Sequence, residues 1–262
     1  MKKITLKRKE AVLGIMFLFL VQGVNAQFQE TIQANRPGVA VNVFSVGKNI
    51  LQLETGLDYK ENSNLFTSSA LLKYGISEKL EINGGVTFNP ENKGVSNNEI
   101  YYFGAKYNIF EGDDMLPSTG FQAIINIPSI NNQNSYASLL FLMGFSFNEH
   151  WSYTFNFGAN VDFEKSLVFP GTTDQKNTIL IQGIYAFNLV FSVNDKISFF
   201  VEPYGTMDKY DNPKIRMHFN SGFSYLLNKD LQLDVIAGHN KVADNGFSIG
   251  AGFSWRLVPN KK

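Results

Sequence analysis

The sequence contains no cysteine and only three histidines among its 262 residues. Without cysteine the chain can form neither disulfide bonds nor a thiolate metal site, and it has no thiol nucleophile. The histidines stand far apart, so their spacing does not predict a metal cluster. We therefore expect neither a metal ion nor a cofactor.

Charge of either sign is also scarce. Charged residues make up 18% of the chain, against about a quarter in ordinary soluble domains, and the 23 basic residues balance the 23 acidic ones. No basic patch follows Glu10, so the composition argues against a nucleic-acid partner. Glycine, asparagine, serine and aromatic residues take the place of charged ones.

The longest apolar run lies at the N-terminus and is typical of a signal peptide. Met1–Glu10 carries five basic side chains, Ala11–Val21 is apolar, and Val24-Asn25-Ala26 resembles a cleavage site. The alternative is a membrane-anchor helix, but the run falls short of the ~20 apolar residues that a helix needs to span a bilayer. We therefore expect secretion, with residues 1–26 removed and Gln27 as the mature N-terminus.

Past residue 26 no apolar stretch approaches the length of a membrane helix, so a membrane crossing must use β-strands. Gly246–Val258 shows the pattern: its odd positions are mostly apolar or aromatic, and its even positions are Ser248, Gly250, Gly252, Ser254 and Arg256. A period of two places these sets on opposite faces of one strand. The same alternation recurs upstream and predicts an all-β, antiparallel up-and-down transmembrane barrel of about twelve strands, within a range of about ten to fourteen.

The connections between these strands alternate in length. Short turns fall near positions 78, 149, 195 and 229, longer loops fall near 62, 93, 131, 170, 210 and 243, and the stretch 111–119 is an exception. Short periplasmic turns, longer outer loops and an even strand count are the pattern of outer-membrane barrels. A soluble sandwich or lipocalin-like barrel is the alternative. Segments of about eleven residues, which rise roughly 25 Å when tilted, and a polar face with few charges favour the membrane barrel.

These patterns divide the chain into four parts. Residues 1–26 are the signal peptide, 27–47 are an N-terminal segment that is periplasmic or inserted into the lumen, 48–258 are the barrel and 259–262 are a short tail. We expect the last strand of the barrel to pair with the first, Lys48–Lys60, so that the sheet has no free edge.

Two stretches near the start of the predicted barrel carry a family resemblance. Asn35-Arg36-Pro37-Gly38 precedes a strand that reads LQLETG from Leu51 to Gly56, and LLKYGISEKLEI follows from Leu71 to Ile82. These motifs resemble those of the outer-membrane "transporter" family described as "putative meta-pathway of phenol degradation". The resemblance is most specific over residues 34–86. The resemblance implies an outer-membrane barrel that passes small, often hydrophobic compounds.

Charged and polar side chains on the even-type faces are predicted to line the lumen: Glu54, Asp58, Lys73, Glu81, Lys106, Asp162, Glu202, Arg216, His218, Asp234 and Arg256. One interpretation is that the charged ones pair across a narrow interior that side chains fill. The other is that some line a water-filled path and set its charge preference. The isolated Arg36 beside an acidic lumen also suggests an N-terminal plug, in which Arg36 pairs with a carboxylate such as Glu54 or Glu202.

Three functions fit a membrane barrel. The first is a passive channel or facilitator for small molecules, hydrophobic or aromatic ones included, and the second is a closed structural or surface-interaction barrel whose loops bind a partner. The third is a lipid-modifying hydrolase, for which His218 and Ser221 are the candidate pair. Three residues apart on one strand, they point to opposite faces and stay beyond hydrogen-bond reach, so we expect no enzyme. The expected partners are membrane lipid, an unidentified small solute and the barrel-assembly machinery of the bacterial outer membrane.

Overall fold

The computed structural model describes residues 30–61, 64–89, 98–129, 134–162, 166–168, 175–177, 180–208, 214–240 and 246–259. The expected signal peptide and Gln27 lie outside these ranges, as does most of the C-terminal tail. Within them, no helix is long and apolar enough to cross a membrane. The described strands are β1 (Leu51–Lys60), β2 (Leu65–Gly75), β3 (Leu80–Asn89), β4 (Asn98–Phe110), β5 (Ser118–Pro128), β6 (Tyr136–Ser146), β7 (Trp151–Asp162), β8 (Ser166–Val168), β9 (Gln175–Asn177), β10 (Leu180–Ser192), β11 (Ile197–Asp208), β12 (Lys214–Asn228), β13 (Leu231–Asn240) and β14 (Gly246–Leu257).

Twelve of these strands close into one antiparallel barrel. Their order around the wall is β1-β14-β13-β12-β11-β10-β7-β6-β5-β4-β3-β2, and the predicted twelve-stranded membrane barrel is confirmed. The remaining two, β8 and β9, pair only with each other as a short hairpin between β7 and β10. The sequence had indicated a loop there, because three-residue strands are too short to show a period of two.

The barrel closes where the sequence predicts it. β1 and β14 are antiparallel neighbours in an unbroken register that runs from Leu51 opposite Leu257 to Lys60 opposite Ser248. Because every barrel strand has two neighbours, the backbone donors and acceptors of the wall are paired within the sheet, as a hydrocarbon environment requires. The predicted pairing of the first and last strands is therefore confirmed.

The two faces of the wall follow the alternation of the sequence. Large apolar side chains point outward and remain exposed on the isolated barrel, among them Phe66, Phe103, Phe121, Leu139, Ile181, Met217, Phe247 and Trp255. The inward face carries small and polar residues. Surfaces of this kind fit a lipid-facing outside and a polar lumen.

The connections define two ends of the barrel. The stretches 76–79, 111–117, 147–150, 193–196 and 229–230 join strands at one end, which we call the short-turn end. The other connections join strands at the opposite, long-loop end. The length of 111–117 relative to its neighbours agrees with the exception noted in the sequence.

The chain before β1 lies inside the barrel. Residues 30–50, here called the inner segment, contain no regular strand or helix among the described residues. Five apolar side chains of the segment are buried: Ile32, Ala40, Val43, Val46 and Ile50. They make up most of the buried apolar residues described, so the core of this molecule is formed largely between the inner segment and the wall.

Candidate functional site: the lumen and its inner segment

The inner segment makes one circuit of the inner wall. Taken in chain order, its hydrogen bonds step from the turn before β13 to β13, β11, β7, β3 and finally β2, which is the order of these strands around the barrel. The contacts are Ile32 with Lys229, Arg36 with Gln232 and Asp234, Ala40 with Glu202, Val41 with Asn156, Val46 with Glu81, and Asn49 with Gly75. A segment without secondary structure thus has its backbone groups bound by the wall.

Glu54 on β1 holds the first part of the circuit. Its carboxylate accepts hydrogen bonds from the backbone N–H of Asn35 and of Arg36, each at 3.1 Å. Gln52, two residues away on the same face, donates to Glu54 at 2.8 Å and to the carbonyl of Gln33 at 3.1 Å. Glu54 was predicted to face the lumen, and here it binds backbone amides of the inner segment.

Glu202 on β11 binds the next part in the same manner. Its carboxylate accepts the backbone N–H of Val39 at 2.8 Å and of Ala40 at 2.8 Å. The side-chain amides of Asn188 and Asn220 donate to it as well, each at 3.1 Å. Glu202 is fully buried, and these neutral donors stabilise its charge where a lysine or arginine would otherwise be needed.

Arg36 pairs with Asp234, a carboxylate that the sequence did not single out for it. Its guanidinium donates to Asp234 at 2.9 Å, and the carboxylate side chain is completely buried. Glu54 and Glu202, the carboxylates named as examples of a partner for Arg36, bind backbone amides of the inner segment instead. Gly56 and Gly252 lie directly against the guanidinium, and a side chain at either position would overlap it.

The far side of the circuit is bound by an asparagine and a glutamate, and it packs against a glycine. Val41 donates its N–H to Asn156 at 2.6 Å, and the amide of Asn156 donates back to the carbonyl of Val41 at 3.1 Å. Val43 then packs into space left by the absent side chain of Gly144. On β3, Glu81 accepts the N–H of Val46 at 3.0 Å.

The inner wall divides into two sectors of six adjacent strands each. In the ionic sector, β13, β14 and β1–β4, buried lysines pair with buried carboxylates, and the buried Arg256 pairs with a partly exposed one. Lys73 pairs with Glu54, Lys106 lies 3.4 Å from Glu81, and Arg256 lies 2.7 Å from Asp230. The lysine pairs join neighbouring strands along the wall, so the interpretation that such charges pair across the lumen does not describe them. All described wall cations that are buried belong to this sector.

The amide sector, β5–β7 and β10–β12, carries a continuous chain of side-chain hydrogen bonds toward the long-loop end. Each link joins two adjacent strands, and the links are Asn126 to Ser138, Ser138 to Asn160, Asn160 to Gln182, Gln182 to Asp208, and Asp208 to Arg216. We call this chain the polar belt. It ends on an ion pair whose arginine is half exposed, while its other members are neutral apart from Asp208.

The remaining predicted lumen residues lie at different heights. Asp58 lies beside Gly250, where any side chain would overlap its carboxylate. His218 packs against Tyr204 with 5.1 Å between ring centroids. Arg256 closes the short-turn end, where it also donates to the carbonyl of Glu30 at 2.9 Å. Asp162 is half buried and lies within 3.4 Å of the side-chain amide of Asn134 at the long-loop end.

Sequence reasoning selected charged residues and passed over neutral ones. Several side chains that contact the inner segment are amides, Gln52, Asn156 and Gln232, and two more, Asn188 and Asn220, bind Glu202, which in turn binds the segment. Their signal in the sequence is the same inward position in the alternation that selected Glu54 and Glu202. Charge alone does not identify every residue that binds the inner segment, because the backbone groups of the segment need hydrogen-bond acceptors and donors, and neutral amides supply these as well.

A cavity lies between the inner segment and the amide sector, on the short-turn side. Its volume is about 170 Å³. Pro37 and Ala40 of the inner segment form one side, and Thr154, Asn188, Phe200 and Ser224 of the wall form the other.

The geometry offers no catalytic constellation among the residues that the structure describes. His218 points inward at Tyr204, and Ser221, at odd parity on the same strand, belongs to the outward face. The described residues also include no group of three histidine, cysteine, aspartate or glutamate side chains that could hold a metal ion.

Comparison with solved structures identifies the fold. The KdgM porin superposes with a TM-score of 0.59 at 8% identity, covering 79% of this chain and 99% of that one. The NanC porin gives 0.61 at 11% identity, covering 78% and 100%. An outer membrane channel from Pseudomonas putida F1 gives 0.55 at 10% identity, covering 86% and 100%. A search of curated proteins by sequence finds no significant match.

The family model gives the assignment that sequence motifs had indicated. It matches residues 34–257, which include most of the inner segment and the whole barrel, and its description is "Putative MetA-pathway of phenol degradation". The resemblance stated from residues 34–86 is therefore confirmed over nearly the full barrel. With the fold of outer-membrane porins and channels, the chain is a bacterial outer-membrane β-barrel protein that belongs to this family.

Proposed function

We propose that the protein is a passive channel for small molecules across the outer membrane, with the inner segment as its constriction. The observation that carries this proposal is the cavity between the inner segment and the amide sector. The amide sector also binds the segment, through Glu202 and Asn156, but beside these contacts the cavity leaves part of its polar wall uncovered. The ionic sector is bound to the segment through Glu54, Asp234 and Glu81.

The two sectors set different costs for a passing solute. A solute that moved along the ionic sector would have to separate buried ion pairs, which costs about 3–5 kcal/mol for each pair broken. Exchange of a neutral hydrogen bond for one to the solute costs about 1 kcal/mol or less, because one partner replaces another. The path therefore follows the polar belt from the long-loop end and reaches the cavity beyond the inner segment.

Solute flux into liposomes tests the proposal. Folded protein would be reconstituted and swelling rates measured for a panel of sugars, amino acids and aromatic acids, with the shift in gel mobility on heating as the control for folding. We expect part of the panel to enter faster than it enters protein-free liposomes. The solutes that enter should include the hydrophobic and aromatic ones that the family resemblance implies. A folded barrel that admits none of them would end the channel proposal.

A closed structural barrel is the second candidate, and the full circuit of the inner segment favours it. In that case the loops at the long-loop end bind the partner and the lumen serves only stability. Single-channel recordings in planar bilayers distinguish the channel from the closed barrel. A channel gives discrete steps whose size and noise change when Arg36→Ala loosens the inner segment, whereas a closed barrel gives no steps in either form.

The proposal includes lipid contact and assisted assembly. The outward apolar side chains are the surface for membrane lipid, and insertion by the barrel-assembly machinery follows from the outer-membrane fold. Depletion of that machinery in a producing cell should leave the chain without its heat-modifiable, folded form.

A further inference from the structure

The cavity on the short-turn side of the inner segment has the size of a small ring. Its volume of about 170 Å³ is close to that of the engineered 150 Å³ protein cavity that admits benzene. A monosaccharide or a single aromatic ring fits this space, and because the cavity is open on one side a longer ligand would extend out of it.

Hydroxyl and amide groups form much of the wall of this cavity. Thr154, Ser198 and Ser224 contribute hydroxyl groups, and Asn188 contributes an amide. The carbonyl oxygen of the Asn188 side chain is buried and has no hydrogen-bond partner, while its NH₂ group is already bound to Glu202. This oxygen has no accessible surface in the present conformation, so a ligand with hydroxyl donors would satisfy it once the Asn188 side chain turns toward the cavity.

Phe200 supplies an aromatic surface beside the aliphatic groups of Pro37, Ala40 and Val190. The ring of Phe200 is buried there and lies close above Gly222, where a side chain would overlap it. An aromatic face beside several hydroxyl and amide groups matches a ring that has apolar C–H faces and a polar rim.

The cavity offers nothing to neutralise a charged ligand. Arg36 is the charged residue in its lining, and its guanidinium is engaged with Asp234. Glu202 lies next to Asn188 without a side-chain cation, so an anion would be repelled. A cation would have to shed its water to reach a carboxylate already bound by four donor groups, which is unfavourable.

We propose that this cavity is a binding subsite for an uncharged, hydroxyl-rich single-ring molecule, a polyol of the size of a monosaccharide. The inference rests on the proposed channel function, since such a subsite has a role only if solute passes the inner segment. It names the solute class of that channel and the residues that select it: Thr154, Asn188, Ser198, Phe200 and Ser224.

Binding and flux measured on the same full-length protein test the subsite. The probes are myo-inositol and glucose, with glucuronate and glucosamine as charged analogues and phenol as an aromatic ring that has a single hydroxyl. Ligand-observed NMR on detergent-solubilised protein reports binding, and liposome swelling reports flux. We expect the two neutral polyols to bind and to enter at least about tenfold faster than the charged analogues.

Two variants of the cavity and one control variant locate the binding. Ser224→Phe fills the cavity from β12 and should lower polyol binding by more than tenfold, whereas Ser221→Phe adds the same ring to the outward face of the same strand and should leave binding unchanged. Thr154→Val keeps the shape and removes one hydroxyl, so we expect about a three- to tenfold loss. Thr154→Val tests the subsite if Ser224→Phe does not fold.

The outcomes separate the subsite from the channel. Flux of charged and neutral solutes at equal rates, preference for phenol over the polyols, or polyol binding that Thr154→Val leaves intact would overturn the subsite while the channel stands. Polyol binding without any flux would support the subsite and remove the channel.

Discussion

The ionic and amide sectors are two ways to make the inside of one barrel polar. In the ionic sector buried lysine side chains meet buried carboxylates, and these pairs resist separation because each partner leaves an uncompensated charge behind. In the amide sector the polar belt and the asparagines around Glu202 bond through neutral groups that can exchange partners at about 1 kcal/mol. Both sectors hold the inner segment, through Glu54, Asp234 and Glu81 on one side and Glu202 and Asn156 on the other. The amide sector also borders the cavity, and there it can take part in transient binding.

The largest expected effect comes from removing a cation of the ionic sector. Lys73→Ala leaves Glu54 without its ion-pair partner, and we expect a loss of about 3–5 kcal/mol in the free energy of unfolding. Urea unfolding in detergent, followed by the fluorescence of the two tryptophans, measures it. The double variant with Glu54→Gln should recover part of the loss, since no unpaired charge then remains; a single variant as stable as the wild type would contradict the role of this sector.

The next effect compares two arginine–aspartate pairs. Arg36→Ala uncovers the buried carboxylate of Asp234, and we expect a loss of about 3 kcal/mol together with noisier channel currents. Arg216→Ala is the matched control, because Arg216 and Asp208 have side chains that are 49% and 22% exposed and such pairs contribute about 1 kcal/mol or less. Equal losses in the two variants would show that burial does not distinguish them.

A smaller effect is expected within the polar belt. Asn160→Ala removes the bonds to Ser138 and Gln182 and should cost about 1–2 kcal/mol, since these are neutral hydrogen bonds. Ser138→Ala interrupts the same chain from its other side. Because the two variants share one bond, their double variant should cost less than the two single losses together, and strict additivity would mean that the belt is not a connected unit.

The smallest effect lies outside the wall, at the ion pair of Glu30 and Lys229. Lys229 lowers the pKa of the Glu30 carboxyl below its usual value, so any stabilisation is present above the pKa of a free glutamate and is lost as the pH falls through the acid range. Both side chains are exposed and screened by salt. We expect Lys229→Ala to leave the unfolding midpoint unchanged at neutral and at acid pH. A clear shift at either pH would show that this exposed pair contributes to stability as the buried pairs do.

The period of two predicts much of the fold because each strand obeys it locally. The alternation along β14 predicts that Trp255 points outward and that Arg256 points inward. The pairing of β14 with β1 follows because a barrel in a membrane can leave no free strand edge. The partners inside the lumen do not follow in this way. Whether Arg36 meets Asp234 or Glu202 depends on the stagger of strands around the whole barrel and on the course of a segment without periodicity. Similarly, the role of Asn156 depends on backbone groups of that segment, which no pattern of side chains reveals.

The circuit of the inner segment has a consequence for the order of assembly. Its partners run from Gln52 on the first strand to Arg256 on the last, so the complete set exists only after the chain has been synthesised and its ends have met. We expect residues 30–50 to become resistant to protease after the barrel strands do, at the moment of closure. Resistance of this stretch would then be a signal that distinguishes a finished barrel from an open sheet.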